Sequence, residues 1–549
     1  MSYNSVINKH NDHLYIQNSI ITFNFLCTRT DKYSLSYLSM IFEKIIKQII
    51  QKMRTDYFDY IVYLKCLFKI IPYIRDVSFG KGEKLITYMM ICVFYKYYPN
   101  IAICLLREII YKNMGSWADI KYFCHFVHFD TIFSNEEKDK IIYFAISIML
   151  YQLDCDVFFW DKMFQHYLNK LEKNKHQPDR PNANSLISNV AKWVPRETSK
   201  FSWLFEKIVL QWNMIHFPFI FENLRNQDQY NKILNKCKMN FRKMVVKLNK
   251  ELNTAQIKQC DKKIHDICPE NVSLMTMMKQ KKSFSKNENH KEYLYNGEPK
   301  ASFFHKTTHI SLDYFVKDAI RLINKPFNSK IASQMAFLNN SWKKNVLMHF
   351  KNKNVVNILP IVDVSLINTQ TLYSSIGLGI AISQISKLNR IILVENHFEI
   401  IQVLHNSDFI DIIRELYPFI NNNIELNITK LNNYLTNASS LIKEHIYYVF
   451  LSNNENIINN INQLSFIHPC SSMIFWNVFT TLNNDNIDNY IHLFGEKNAI
   501  FLSGCSPTLL YSLNENILKS QTSFYFLNET VNLYRYSSFD DIFIKYFII

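Results

Sequence analysis

The hydrophobic positions of this chain change period part-way along it. From about residue 33 to residue 252, apolar side chains recur at helical spacing, as in Ile45, Ile46, Ile49, Ile50 and Met53, and again in Ile141, Ile142, Ala145, Ile146 and Met149. Helix punctuation separates the segments at Pro72, Gly80 to Gly82, Pro99, Gly115 and the DRPNANS stretch at 179–185. No strict repeat is visible, so the pattern predicts an irregular, solenoid-like array of amphipathic helices. Residues 85–111 are the most apolar, but Lys96, Pro99, Asn100 and Arg107 interrupt them. They fall short of a membrane span and predict two buried helices.

Residues 257–308 are rich in Lys, Asn and Ser and predict short helices with mobile connections. Helical pattern resumes at 312–323; Pro326 and Asn328 then mark the approach to a second domain, with a helix at 341–351 leading in. Beyond it the rhythm is different. Short apolar runs at 355–362, 390–394, 446–451, 472–476 and 499–502 alternate with helical patterns at 373–387, 409–417, 428–441 and 508–514. That alternation predicts a doubly wound, Rossmann-like parallel sheet. The expected organisation is therefore α plus α/β, with a helical domain over 1–325, a connection over 326–350 and the α/β domain over 351–549. The first apolar run ends in Asp363-Val364-Ser365. An Asp and a Ser at such a strand tip sit where open α/β sheets bind ligands and metals.

Composition narrows the function classes. At 549 residues and 65.5 kDa the chain is too long for a single core. Hydrophobic content of 48%, with 15% aromatic, excludes global disorder. Only 8 Gly and 13 Pro stand beside abundant Asn, Ile, Lys and Tyr, which points to codon choice in an AT-rich genome. The net charge of +15 predicts attraction to polyanions, although the Lys-rich bias weakens that argument. The 11 Cys are scattered without a CxxC pair, and the N-terminal MSYNSVINKHNDHLY lacks the apolar core of a secretion signal. Reduced thiols in a cytoplasmic protein are expected.

Four patterns carry candidate chemistry. FRKMVVKLNKEL at 241–252 puts Lys243, Lys247 and Lys250 on one helical stripe and Met244, Leu248 and Leu252 on another, with Lys232, Lys236 and Lys238 upstream. Lys236, Arg242, Lys243, Lys247 and Lys250 are therefore candidate contacts to a nucleic-acid backbone, against the plainer reading of a solvated face over an apolar one. Cys124 and His128, with His125 between them, have half the spacing of a zinc site but no second pair nearby; a core thiol and a buried histidine are the expectation. Gly80-Lys81-Gly82-Glu83-Lys84 lacks the length and the Ser/Thr of a P-loop and predicts a helix-to-helix turn, with Arg75 or Lys81 pairing Asp76 or Glu83. Gly504-Cys505-Ser506 follows a strand as a nucleophile would, but it is not GxSxG and no histidine can be assigned to it.

Several of these pieces, in order, resemble the DUF2828 family, a helical module distantly like the Ro/TROVE ribonucleoproteins joined to a von Willebrand factor A-like (vWA-like) domain. Arg75-Asp76 with Gly80 to Glu83 looks like the family's "RD…GKGE" opening. Gly115-Ser116-Trp117-Ala118-Asp119 is similar to "GxWxDL", residues 191–197 to "AKWxPRE", and Phe241-Arg242-Lys243 to "YRK". Val362 to Ser365 resembles "DVSGSM", Phe475-Trp476-Asn477 "FWN", and Gly504-Cys505-Ser506 "SGFS". Members occur in plants, fungi and large DNA viruses, and the composition suits a viral member, in the host cytoplasm or the virion.

The resemblance implies a metal-ion-dependent adhesion site built from three loops. Asp363 and Ser365 keep two of its five ligands; Ile367 stands at the second serine, Leu426 at the threonine and Asn453 at the third-loop aspartate. Mg²⁺ needs near-octahedral oxygen ligation. A vestigial, empty site is therefore expected, with Asp363 bonded to loop amides and hydroxyls and no cofactor required; Mg²⁺ held with a substitute carboxylate from Glu425 or Glu455 is the alternative. Trp117 and Trp193 are expected to anchor helix contacts, and Arg196-Glu197 to pair locally. The resulting expectation is a non-enzymatic binding or scaffold protein for RNA or a protein partner. Divalent-dependent ligand capture through Asp363 is the alternative, and a hydrolase centred on Cys505 is a third reading. Nothing in the pattern fixes the oligomeric state.

Overall fold

The computed structural model describes residues 3–129, 133–173, 187–222, 226–267, 276, 311–347, 357–366, 368–394, 398–402, 407–420, 428–441, 445–464, 471–482, 499–513 and 523–547. The expected loop at 179–185, most of the polar 257–308 segment, Ile367, Glu425 and Leu426 lie outside these residues. The chain forms two compact units, one of Met1–Tyr97 with Ser273–Ile549, the other of Tyr98–Val272. The first 97 residues thus share a compact unit with the α/β half, across the boundary expected at 325.

In the first unit, four helices open the chain: α1 (Tyr3–Leu26), α2 (Lys32–Met53), α3 (Tyr57–Arg75) and α4 (Lys84–Tyr97). Asp31 caps α2, its carboxylate accepting from the Ser34 amide at 2.7 Å, so one orphan amide of the first turn is satisfied. After α12 (Leu312–Ile323) and α13 (Ser329–Asn345) come β1 (Ile358–Asp363), α14 (Thr369–Ile385), β2 (Arg390–Val394) and β3 (Phe398–Gln402). Then follow α15 (Phe409–Leu416), α16 (Ile428–Leu441), β4 (Ile446–Asn453), α17 (Asn454–Leu464), β5 (Ser471–Phe479) and β6 (Ala499–Ser503). Helices α18 (Ser523–Val531) and α19 (Ser537–Phe547) complete the unit.

The sheet runs β3-β2-β1-β4-β5-β6. Five strands are parallel, as the alternating pattern predicts, and the edge strand β3 pairs antiparallel to β2. The sequence reading missed β3. Pro360 fits a central strand because the β1–β2 ladder begins only at Ile361. The Ser/Gly-rich α14 packs close on both sides: a Cβ on Gly379 would stand 2.5 Å from Val362 Cγ2, and one on Gly377 2.8 Å from Leu312 Cβ. The helix expected at 341–351 overlaps α13 only over 341–345, with 348–351 outside the described residues; α13 starts earlier because Asn328 caps it, accepting from the Ile331 amide at 2.9 Å. The stretch at 508–514 is a 3-10 turn, Pro507–Leu513.

The second unit is helical: α5 (Pro99–Tyr111), α6 (Ala118–Phe129), α7 (Asn135–Lys173), α8 (Val190–Trp193), α9 (Ser202–His216), α10 (Gln227–Leu252) and α11 (Ala255–Cys260). The apolar stretch at 85–111 does divide into two helices, α4 and α5. Among the described residues one helix, α7, is long and apolar enough to cross a membrane by length and composition, but half of its most apolar window is buried inside the fold. Asp156 on α7 accepts from the Ser188 amide at 3.1 Å and its hydroxyl at 2.7 Å, which fixes the segment entering α8.

Candidate functional site

The strand order reverses between β1 and β4, and their carboxyl ends are where such sheets place ligands. Asp363 ends β1 fully buried. Its Oδ1 accepts from the Ser365 amide at 3.0 Å and the Ser365 hydroxyl at 2.6 Å. Its Oδ2 accepts from the Ser452 hydroxyl and from Asn456 Nδ2 at 2.7 Å. Asn456 is itself placed by α17, whose first turn is closed by a bond from its amide to Asn453 Oδ1 at 2.8 Å. The carboxylate is thus held by four donors, which is how a buried charge avoids the cost of lost solvation.

The structure brings Asp363 and Ser365 together as the sequence suggests and puts Asn453 in the adjacent loop, spent on the α17 cap. Ser452 and Asn456 are partners the sequence reading did not assign to Asp363. Ser452 directly follows the apolar run of β4, and that position was a usable signal. Glu455 is part-buried in the first turn of α17, and the bonds to Asp363 come from its neighbours instead. Among the described residues no group of three His, Cys, Asp or Glu side chains is placed to hold a metal ion. The donors around Asp363 are two neutral hydroxyls and two amides, so Asp363 is the sole carboxylate among the groups bonded there.

The other half of the rim is closed by the chain's own N-terminal segment. Asn477, near the end of β5, donates to the Phe25 carbonyl at 3.0 Å, and Thr480 donates its hydroxyl to the Leu26 carbonyl and its amide to the Arg29 carbonyl, each at 2.8 Å. Thr30 returns a bond to the Thr480 carbonyl at 3.0 Å and pairs with it as an isolated bridge. These bonds satisfy carbonyls at and just beyond the end of α1, which a helix terminus leaves unpaired. Into the same corner comes Lys81. Its Nζ donates to the carbonyls of Asn24 and Cys27 and to Ser503 Oγ, the last two at 3.1 and 2.7 Å. Burial pulls this ammonium down to about 8, against partial support from Cys27 and Glu83.

Lys81 lies in the expected turn between α3 and α4, and both it and Arg75 act as opposite charges on the Glu83 carboxyl. Gly80 makes the turn because a Cβ there would stand 1.8 Å from the Tyr73 carbonyl oxygen, and Gly82 has φ +74°. Asp76 pairs instead with Arg535, whose Nη2 donates at 2.9 Å, and accepts from the Tyr536 hydroxyl at 3.1 Å. Arg29 pairs with Asp313 at 2.9 Å and donates to the Ser374 hydroxyl at 3.3 Å. Cys505 is buried, its thiol donating to the Val478 carbonyl at 3.2 Å, and burial pushes it up to about 11. A thiol held protonated in that way is a poor nucleophile, and no histidine bonds to it among the described residues.

In the second unit, α10 buries Cys237, Lys238, Phe241, Leu248 and Leu252 and exposes Lys236, Arg242, Lys243, Lys247 and Lys250. Seven basic residues (Lys232, Lys236, Lys238, Arg242, Lys243, Lys247, Lys250) stand against two acidic ones, Asp228 and Glu251. Three are ion-paired: Lys238 with Glu206 at 2.7 Å, Arg242 with Glu197 at 2.8 Å, and Lys247 with Asp161. Glu197 is therefore taken by α10 and not by the neighbouring Arg196. Lys236, Lys243 and Lys250, seven residues apart, share a stripe and have no acidic partner among the described residues. Cys124 is fully buried with its thiol pushed up by burial, while His128 stacks on Trp203 at 4.2 Å. They do not form half of a metal site. Trp117 meets Tyr111 edge to face at 5.5 Å.

Near the end of α10, Asn249 donates to the Ala191 carbonyl of α8 at 3.1 Å. Two residues on, Trp193 faces the ammonium of Lys121, which lies 5.2 Å from its ring centre, 5.0 Å from that of Tyr122 and 5.1 Å from that of Phe201. The sequence reading gave Trp193 a packing role and overlooked Lys121, whose partners are contributed by α6, α8 and the start of α9. Compared with protein-family models, the chain matches none, and no curated protein is similar to it in sequence.

Proposed function

We propose that this is a non-enzymatic binding or scaffold protein, in which a vWA-like core with a vestigial cation site is joined to an irregular, TROVE-like helical array that contacts RNA through α10. The strand order β3-β2-β1-β4-β5-β6, the antiparallel edge strand and the Asp at the end of β1 support the vWA-like part of this reading. They agree with the resemblance to the DUF2828 family drawn from the motifs. The observation that carries the RNA part is the outer face of α10, where Lys236, Lys243 and Lys250 are exposed and unmatched by acids among the described residues. A spaced row of ammonium groups neutralises successive phosphates and releases their counterions.

Filter binding of RNA across a salt series tests this. Affinity should fall steeply with salt, and replacing Lys236, Lys243 and Lys250 together by Gln should flatten the slope of log K against log salt by about 2, at roughly 0.7 per lost phosphate contact. Absent or salt-independent binding removes the RNA reading. In parallel, calorimetric titration with Mg²⁺ and Mn²⁺ should release no heat of binding. A heat that disappears in Asp363→Ala would favour cation-dependent ligand capture in its place.

A further inference from the structure

We propose that the face around Trp193 is a stacking platform for an unpaired base, so that the RNA bound is single-stranded. The inference rests on the RNA reading above and deepens it. Three lysines and three rings alternate here. Lys192 lies 5.6 Å from the Trp193 ring centre, Lys121 lies among Trp193, Tyr122 and Phe201, and Lys200 lies 5.1 Å from the Phe201 ring centre. Phe201 is buried and anchors the group, while Trp193 is part-exposed and Tyr122 exposed. Aromatic faces attract cations through the ring quadrupole, and they stack bases through dispersion and the burial of apolar surface.

The platform adjoins the basic stripe. The bond from Asn249 to the Ala191 carbonyl ties the last turns of α10 to α8, beside exposed Lys250 and two residues before Trp193. A strand whose phosphates follow Lys236, Lys243 and Lys250 is thus delivered to the indole. Lys192 is exposed, and its ammonium is the group an incoming base displaces. The exchange is favourable because an exposed cation–π contact is weaker than a base–aromatic stack. A duplex keeps its bases stacked on one another and has none to offer.

Fluorescence anisotropy of the full chain, with a labelled homopolymeric single strand and a duplex of equal length, tests the platform. Trp193→Ala should weaken single-strand binding about tenfold, leave its salt slope unchanged and leave duplex binding unaltered. Trp193→Phe, which keeps a ring, should retain most of the affinity. Equal single-strand affinity in wild type and Trp193→Ala, or an equal loss for both RNAs, overturns the platform while salt-dependent binding still upholds the RNA reading. Absent binding of either RNA by the wild type overturns both. Should Trp193→Ala not fold, Trp193→Phe decides: quenching of tryptophan emission by the single strand should be smaller than in wild type, and undiminished quenching overturns the proposal.

Discussion

At the carboxyl rim of the sheet, polar groups are turned towards one another. Asp363 is enclosed by Ser365, Ser452 and Asn456, Asn477 near the end of β5 bonds a carbonyl in the last turn of α1, and Ser503 at the end of β6 accepts from Lys81. On α10 the polar groups are turned outward, and Lys236, Lys243 and Lys250 find no acid among the described residues. The rim is the position where an α/β sheet usually keeps its ligand, yet the groups bonded around Asp363 are spent on the fold, although Thr371 Oγ1 in the first turn of α14 is buried without a partner among the described residues. The difference teaches that binding capacity belongs to groups left unsatisfied, whatever the fold would suggest.

The comparison is broken most severely at Asp363. Asp363→Ala removes a buried carboxylate with four bonds and strands the hydroxyls of Ser365 and Ser452 and the Asn456 amide. We expect a loss of about 3 kcal/mol in denaturant unfolding. A loss below about 1 kcal/mol would mean that the rim is not held by these bonds.

A smaller effect is expected at Lys81. Its ammonium is held down to about 8 in the folded chain against an ordinary 10.5, so between those pH values the unfolded chain binds more protons. Its contribution to stability therefore rises with pH across that window, by about 1 kcal/mol per pH unit. Cys27 opposes it: burial pushes this thiol up to about 12 from 9.0, so its contribution falls as pH rises through 9. The measurement is the stability of Cys27→Ser minus that of Cys27→Ser with Lys81→Met from pH 7 to 10, which removes the thiol coupled to the ammonium. The difference should climb in favour of the chain that keeps Lys81 above pH 8, and a flat difference would refute the lowered pKa of Lys81.

The smallest effect is on the α10 side. Asp161→Asn breaks an exposed pair with Lys247 and should cost less than about 1 kcal/mol. The same change frees a cation beside the stripe, so RNA should bind a few-fold more tightly at low salt. Weaker binding would show that the outward charges are not what the RNA meets.

Much of the sheet was legible in the chain. The runs 390–394 and 428–441 coincide with β2 and α16, since parallel strands buried on both faces are continuous apolar runs and a helix keeps its own period. The edge strand β3 was not legible, because it pairs on one side only and carries a weak signal. Asp363 and Ser365 could be named as a pair from two residues of spacing. Asn456, 93 residues away, could not.

By itself, then, the sequence determined the α plus α/β class, the parallel strands and the basic stripe of α10, all of which are local patterns. Only the tertiary structure decided that residues 1–97 fold with the sheet, that Lys81 ends on carbonyls and a serine hydroxyl, and that Trp193 gathers Lys121 and Lys192. Thr30 and Thr480 meet across 450 residues. Such contacts leave no period in the chain, because they are selected by the burial and hydrogen-bond satisfaction of the whole unit and not by any neighbour in sequence.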